Sequence, residues 1–283
     1  MKRIIFLLSL VLIVFQSCEE VPPFIDFSEP VVSKDTNYVV SIIPPAQHKA
    51  VLIEDITGVR CVNCPQAAQK AKEIVSKKTE DSVVIMALYT NHIATLTTPY
   101  DGFPLLNSDI STQIVDYNGI PAGLPSGYID RAIFAPQTVR YNNYSQWATL
   151  VDNRLRLSTP VNISIQHSIS GRKISLDVKL IYTEAIGVTH RFAMYLTESD
   201  IISKQATTTG TKDDYVHNHV LRYAFGSAVG NPLNANLVKG RTFDKKFEYE
   251  VPADYKINNC HILCVILDGT TDEVVNVRQI SLK

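Results

Sequence analysis

The sequence has no excess of basic residues, and this absence limits the classes of function that the protein can have. Its 283 residues contain 27 Lys and Arg against 28 Asp and Glu, so the formal net charge is −1. A protein that binds nucleic acid uses basic side chains to displace the counterions of the phosphates. We therefore expect no nucleic-acid partner.

Long apolar runs and compositional bias are also missing. The apolar run at residues 4–15 is shorter than the roughly 20 residues that a membrane-spanning helix needs. Hydrophobic residues make up 45% of the chain and charged residues 19%. This composition is ordinary for a folded protein and argues against a disordered chain, a collagen-like repeat or a coiled coil. The length fits two domains of about 130 residues each.

The apolar run has the arrangement of a bacterial signal peptide. Lys2 and Arg3 precede it, and residues 15–18 read Phe-Gln-Ser-Cys. A small residue directly before a cysteine resembles a lipoprotein cleavage site. Residues 1–17 are therefore predicted to be removed and Cys18 to carry the lipid that anchors the protein to the membrane. The alternative is an ordinary secretory signal with an incidental cysteine.

The next segment, residues 18–47, is predicted to be a tether followed by the first structural elements. Glu19 and Glu20 resemble the surface-export signal of some Gram-negative lipoproteins, or they only keep the tether solvated. The predicted location is thus the outer membrane, on its periplasmic or its surface face. An apolar stretch at residues 38–43 predicts an edge strand.

The four remaining cysteines form two close pairs, and the first pair is a Cys-x-x-Cys motif. Cys61 and Cys64 are followed by Pro65 and a helical pattern at residues 66–75. Strand-like runs at residues 50–56 and 82–89 flank this segment. The order strand, helix, strand predicts two parallel strands joined by a crossover, with the cysteines between the first strand and the helix.

This position favours a reactive thiol. The positive end of the helix dipole and the neighbouring Arg60 would both lower the pKa of Cys61, which would attack a disulfide while Cys64 resolves the product. The alternative is a structural disulfide. A zinc site would need a second ligand pair nearby, so no metal and no cofactor are predicted.

The following residues complete a pattern that resembles thioredoxin over residues 48–158. A helix is predicted at 107–117, a strand at 127–130 and a closing helix at 143–157. Pro125 precedes the strand and is predicted to have a cis peptide bond facing the cysteine pair; Pro121 is the alternative. The chain departs from thioredoxin at Arg60, where thioredoxins carry Trp, and in an insertion at residues 90–103.

From residue 159 the pattern alternates and predicts an all-β, immunoglobulin-like sandwich over residues 159–283. Its expected strands are 161–166, 173–182, 190–196, 243–249, 261–267 and 273–280. Cys260 and Cys264 are too far apart in an extended strand to form a disulfide and are expected to be buried like small apolar residues. The connection 197–236 is expected to project from one end. It carries His217 and His219, a candidate functional loop without an identifiable third metal ligand.

Four motifs together resemble one family. They are the lipoprotein box at Cys18, the sequence Thr-Gly-Val-Arg-Cys-Val-Asn-Cys-Pro at residues 57–65, and two later segments, 125–131 and 217–222. The chain is similar to the outer membrane protein 28-related lipoproteins of Gram-negative bacteria. The resemblance implies an outer-membrane lipoprotein with a thioredoxin-like domain followed by a β-domain, and an adhesin or receptor role.

Two functions follow from the sequence. One is thiol–disulfide exchange on exported proteins, carried by Cys61, Cys64 and Pro125. The other is a non-catalytic surface binding protein or adhesin with a structural disulfide. An accessible Cys61 sulfur favours exchange, and sulfurs covered by the insertion or by the second half favour binding. The sequence identifies no client or partner protein.

Overall fold

The computed structural model describes residues 31–79 and 81–283. The predicted signal peptide 1–17 and the lipidation residue Cys18 lie outside these ranges. The strands are β1 (Val31–Val39), β2 (Val51–Thr57), β3 (Val83–Tyr89), β4 (Ser126–Ile129), β5 (Tyr141–Asn142), β6 (Val161–Ser170), β7 (Lys173–Tyr182), β8 (His190–Glu198), β9 (Ile201–Thr207), β10 (Gly210–His217), β11 (Val220–Ala224), β12 (Asn231–Pro232), β13 (Arg241–Glu250), β14 (Cys260–Asp268) and β15 (Val274–Ser281). The helices are α1 (Cys64–Ser76), α2 (Ala94–Thr97), α3 (Asp109–Asn118) and α4 (Trp147–Leu155).

The first half is built on the parallel pair β2 and β3, which α1 connects. The pairing runs from Val51 opposite Val83 to Thr57 opposite Tyr89. Every residue of both strands is buried, because α1 and α4 cover one face of the pair and α3 contributes to the core on the other. The predicted strand, helix and strand are confirmed with boundaries that shift by one or two residues.

The remaining elements of the first half follow the predicted order. Strand β4 runs antiparallel to β2, with Ser126 opposite Ile56. Ser108 caps α3 by accepting a hydrogen bond from the backbone N–H of Ser111. Helix α4 is shorter than the predicted 143–157 and begins at Trp147, whose buried ring packs against the sheet.

The second half is β-rich, as predicted, and all six expected strands are present as β6, β7, β8, β13, β14 and β15. Antiparallel pairing gives a four-stranded sheet with the order β1-β13-β7-β6. Its inner face shares an apolar core with β8 and β14, to which Leu180 and Phe243 contribute from one sheet and Met194 and Ile262 from the other. The hydrophobic effect of burying these side chains holds the two sheets together.

One sheet crosses from the first half into the second. Its order is β15-β14-β8-β11-β3-β2-β4-β5, and β12 pairs with β8. The junction lies between β11 and β3, where Val220 stands opposite Ala87 and the Ala87 N–H donates to the His219 carbonyl oxygen at 2.8 Å. The predicted division at residues 158/159 therefore lies within a chain whose two parts share hydrogen-bonded strands.

Buried charged residues also connect the two halves. The Lys49 ammonium lies 2.8 Å from the Asp130 carboxylate and also donates to the Val274 carbonyl oxygen at 2.9 Å. Arg154 binds both Asp130 and Glu273. The residues around position 274 belong to the second half, so the pairing of these buried charges fixes β15 against the first half.

Two expectations were wrong. The connection 197–236 does not project as a loop, because it forms the antiparallel hairpin β9–β10 and then β11 and β12, which enter the large sheet. Because residues 207–214 are polar, the sequence pattern did not indicate the strands on either side of them. The edge strand expected at 38–43 is β1 and lies earlier, at Val31–Val39. None of the helices in the described ranges is long and apolar enough to cross a membrane.

Candidate functional site

Cys61 and Cys64 form a disulfide between β2 and α1, at the place that the sequence predicts. Helix α1 begins at Cys64, and Pro65 lies in its first turn, where a missing N–H costs little. Cys61 precedes the helix, and its carbonyl oxygen accepts from the Cys64 N–H at 3.2 Å. The sequence predicts a thiolate at Cys61 in the reduced protein, whereas the structure shows the oxidised protein with a disulfide.

Both cysteines are buried, Cys61 with 2% and Cys64 with 1% of its surface exposed. Hairpin β9–β10 covers their loop. The side-chain amide of Gln205 donates to the carbonyl oxygens of Cys61 and Gly58 at 3.0 and 3.3 Å. The N–H of Ala206 donates to the Val59 carbonyl oxygen at 2.8 Å. An element of the second half therefore shields the disulfide from solvent.

The insertion 90–103 holds Arg60. The guanidinium donates to the carbonyl oxygens of Thr98 and Pro99 at 2.7 and 3.1 Å and lies 4.1 Å from the centre of the Tyr100 ring. The Arg60 N–H donates to the Leu96 carbonyl oxygen at 2.9 Å. The insertion binds the Arg60 guanidinium here and Cys61 is oxidised, so the effect of Arg60 on the pKa of the Cys61 thiol stays a prediction.

Pro125 leads directly into β4 and has a cis peptide bond, which confirms the choice of Pro125 over Pro121. Because Ser126 pairs with Ile56, Pro125 stands at the end of β2 from which the cysteine loop departs. The next residue along the strand is packed closely. A Cβ atom on Gly127 would lie 2.4 Å from the Trp147 ring and 2.8 Å from the Glu54 carbonyl oxygen, so glycine is required there.

The two histidines of the candidate loop lie in the structured segment around the end of β10. His217 is buried, and its Nδ1 is 2.7 Å from the Tyr89 hydroxyl of β3. Burial lowers the pKa of both His217 and His219 to about 4, so both rings are neutral at pH 7. Within the described ranges, no group of three or more His, Cys, Asp or Glu side chains is arranged to hold a metal ion.

Three other titratable residues lie outside this group. The Nε2 atom of His92 lies 2.8 Å from the Asp116 carboxylate, and the two side chains form a surface pair. Cys260 and Cys264 are free, buried thiols in the sandwich core, as predicted. Desolvation raises the pKa of both thiols, that of Cys260 to about 12, so they stay protonated and unreactive.

A cavity of about 540 Å³ lies beside the disulfide, between α1, the strands β2 and β3, and the hairpin. Cys64, Asp55, Tyr89 and His217 contribute to its lining. Asp55 is 3% exposed, and its Oδ1 has no hydrogen-bond partner among the residues that the structure describes. Burial raises the pKa of this carboxyl to about 7.

Sequence analysis named Cys64 and His217 but missed Asp55, Tyr89 and Gln205, which also line this cavity. Asp55 could have been found, because it and its neighbour Glu54 are acidic residues within a strand that is buried on both faces. Tyr89 is the last residue of the strand-like run 82–89, and nothing in the sequence marked it as a cavity residue. Gln205 could not be found, because its role depends on a hairpin that the sequence did not predict.

The fold and the site define a β-rich protein with a covered Cys-x-x-Cys disulfide. The profile of the family Outer membrane protein Omp28 matches residues 112–283, more than half of the chain, so the chain belongs to this family. The matched region begins after the cysteine pair. Membership places the protein at the cell outer membrane and confirms the family resemblance drawn from its motifs.

Two solved structures are similar to this chain. HBP35 of Porphyromonas gingivalis is 14% identical with a TM-score of 0.65, over 84% of this chain and 76% of that chain. A domain of the outer membrane lipoprotein Omp28 from Porphyromonas gingivalis is 22% identical with a TM-score of 0.31, over 44% of this chain and 88% of that chain. The first of these supports the fold alone. No curated protein matches the chain.

Proposed function

We propose that this protein is a non-catalytic binding protein of the outer membrane, in which Cys61–Cys64 is a structural disulfide. The observation that carries this proposal is the burial of both cysteines beneath hairpin β9–β10. Exchange requires a thiolate to approach a sulfur along the disulfide axis. A client polypeptide has no such approach while Gln205 and Ala206 bind the cysteine loop.

The scaffold in this proposal is a thioredoxin-like unit at residues 48–158 joined to an immunoglobulin-like sandwich at residues 159–283. The parallel β2–α1–β3 unit, the antiparallel β4 after Pro125 and the disulfide before α1 support the first assignment. Two facing antiparallel sheets with a shared core support the second. Because the large sheet crosses the division, the two units are proposed to act as one body.

The anchor in this proposal is a lipid on Cys18, which the residues before it support as a cleavage site. Cells grown with labelled palmitate should label the wild-type protein but not the Cys18→Ala variant, whose site for the lipid is gone. Equal labelling of the two proteins, or an unlabelled wild type, would contradict the lipid anchor.

Thiol–disulfide exchange is the second candidate function, and Asp55 is the observation that favours it. A carboxyl with a pKa of about 7 lines the same cavity as Cys64 and has the acidity of a proton acceptor for a resolving thiol. In this cycle, the Cys61 thiolate of the reduced pair attacks a client disulfide and releases the first client thiol. The Cys64 thiolate then attacks the Cys61 sulfur, so that the Cys61–Cys64 bond forms as the bond to the client breaks. The client leaves as two thiols, and an exported dithiol protein reduces Cys61–Cys64 again. The hairpin would have to move in each cycle.

An insulin-reduction assay separates the two functions. The full chain in detergent and its Cys61→Ser variant are compared for insulin-disulfide reduction with dithiothreitol as the reductant. We expect the two proteins to give the same rate. Activity of the wild-type chain that the variant lacks would overturn the binding proposal in favour of exchange.

A further inference from the structure

The cavity beside the disulfide has the size and access of a small-molecule site. Its volume of about 540 Å³ falls within the roughly 300–1,000 Å³ of ligand pockets in proteins. Its lining includes Lys72 of α1, Val216 of β10 and Asn218, which follows β10, and all three residues are exposed. The cavity therefore reaches solvent between α1 and the hairpin.

The buried end of the cavity carries an unsatisfied acceptor. Asp55 points to the same side of the sheet as Val51 and Ile53, which pack on α1, because side chains alternate along a strand. Its Oδ1 has no partner within the described part of the chain. A buried carboxylate without a hydrogen bond is costly, and a ligand that donates to it would remove this cost.

Aromatic rings surround the same space. The ring of His217 lies 4.8 Å from that of Tyr215 and 5.7 Å from that of Tyr89, measured between ring centres. All three residues line the cavity. His217 is neutral at pH 7, so it does not compete for the carboxylate. A carboxylate together with aromatic rings is the combination that attracts an organic ammonium group.

We propose that this cavity binds a small organic cation, a primary amine whose ammonium group pairs with Asp55 and whose carbon skeleton lies against the rings of Tyr89, Tyr215 and His217. The inference rests on the proposed binding function and gives it a ligand class. A neutral ligand of the same shape would leave the Asp55 carboxylate without a charged partner. A metal ion would need more ligands than the described residues bring together here.

Isothermal titration of the full, oxidised chain in detergent tests this site. The probes are phenethylamine, n-butylamine and the neutral phenethyl alcohol, at pH 8 so that Asp55 is ionised. We expect saturable binding of phenethylamine to one site, at least tenfold weaker binding of the alcohol, and an intermediate result for butylamine because it lacks the ring. Absence of saturable binding by both amines, or equal affinity for the alcohol, would overturn the inference.

A pair of variants links the binding to Asp55. Asp55→Asn should weaken phenethylamine binding at least tenfold, while Asp214→Asn, which removes the same charge from an exposed position of the hairpin, should leave it unchanged. Equal binding by Asp55→Asn and the wild type would contradict the site. Should Asp55→Asn not fold by circular dichroism, the comparison of amine and alcohol on the wild type still decides.

The outcome of the amine titration is independent of the outcome of the insulin assay. Amine binding can fail while the chain remains inactive towards insulin, which would remove the ligand class and keep the binding function. Insulin activity that depends on Cys61 would overturn the binding function and leave a measured amine site in place.

Discussion

Asp55 shows how burial sets the properties of a single residue. The carboxyl lies on the core side of β2, and desolvation raises its pKa from about 3.9 in an unfolded chain to about 7 in the folded protein. The folded state therefore holds a proton between pH 4 and pH 7 that the unfolded state has lost. Stability from this group is present below pH 4 and is lost as the pH rises through 7.

The variant Asp55→Asn removes this dependence on pH. We expect the free energy of unfolding of the wild type to fall, relative to that of Asp55→Asn, by about 2–3 kcal/mol between pH 5 and pH 8. Urea unfolding of both proteins at the two pH values measures the difference. The exposed Asp214→Asn serves as the control, and its difference from the wild type should stay constant. A constant difference for Asp55→Asn as well would show that the carboxyl is not desolvated.

The pair Arg131 and Glu54 is a second residue-scale feature, because both side chains are fully buried. The guanidinium donates two hydrogen bonds to the carboxylate, at 2.6 and 2.9 Å. The variant Arg131→Met leaves the Glu54 charge unpaired and should lower stability by about 3–5 kcal/mol.

Combining Arg131→Met with Glu54→Leu tests the cause. The double variant has no buried charge at this position and should recover at least half of the lost stability in urea unfolding. A double variant that is less stable than Arg131→Met would mean that packing, and not the unpaired charge, accounts for the loss.

Hairpin β9–β10 is the element that decides the chemistry of the cysteine pair. Gln205 connects it to the cysteine loop through two carbonyl oxygens, which would lack these donors in Gln205→Ala. We expect this variant to lose about 1–3 kcal/mol of stability at the hairpin contact. Dithiothreitol should reduce its disulfide at least tenfold faster than that of the wild type.

The control for this prediction is Lys212→Ala. Lys212 stands opposite Gln205 in the hairpin register, is exposed and does not line the cavity. Mass spectrometry of alkylated peptides assigns the new thiols to Cys61 and Cys64. Equal reduction rates in all three proteins would contradict a covering role for the hairpin.

The elements also show what the sequence could predict and what it could not. Local patterns predicted α1, the strands β2 and β3 and the β-rich second half. These elements can be predicted because the spacing of apolar residues within a short stretch of sequence indicates a helix or a strand. The residue Pro125 was predicted from its place before a strand. The hairpin and its contact with Cys61 were missed, because the polar residues 207–214 resemble a loop and the contact joins positions about 144 residues apart.

At the scale of the whole molecule, shared strands and buried charges join the two halves. The large sheet passes from β8 through β11 to β3, and Asp272 accepts hydrogen bonds from Arg140 and Arg191 as well as from Tyr117. Separating the halves would expose strand edges and remove the first-half residues Arg140 and Tyr117 from Asp272. The chain should therefore unfold as one cooperative unit.

The single tryptophan allows a test of this cooperativity. Trp147 is buried in the core of the first half, so its fluorescence reports on that half, while far-ultraviolet circular dichroism is dominated by the strands. We expect both signals to give one midpoint in urea. Two separate midpoints would show that the halves unfold independently.

The most direct test of the central claim is the rate at which dithiothreitol reduces Cys61–Cys64 in the native chain and in the chain unfolded in urea. A structural disulfide beneath the hairpin should react at least 100-fold more slowly in the native state, because both cysteines are buried and the hairpin binds their loop. Reduction at the same rate in both states would contradict a covered, structural disulfide and would support a site that is open to exchange.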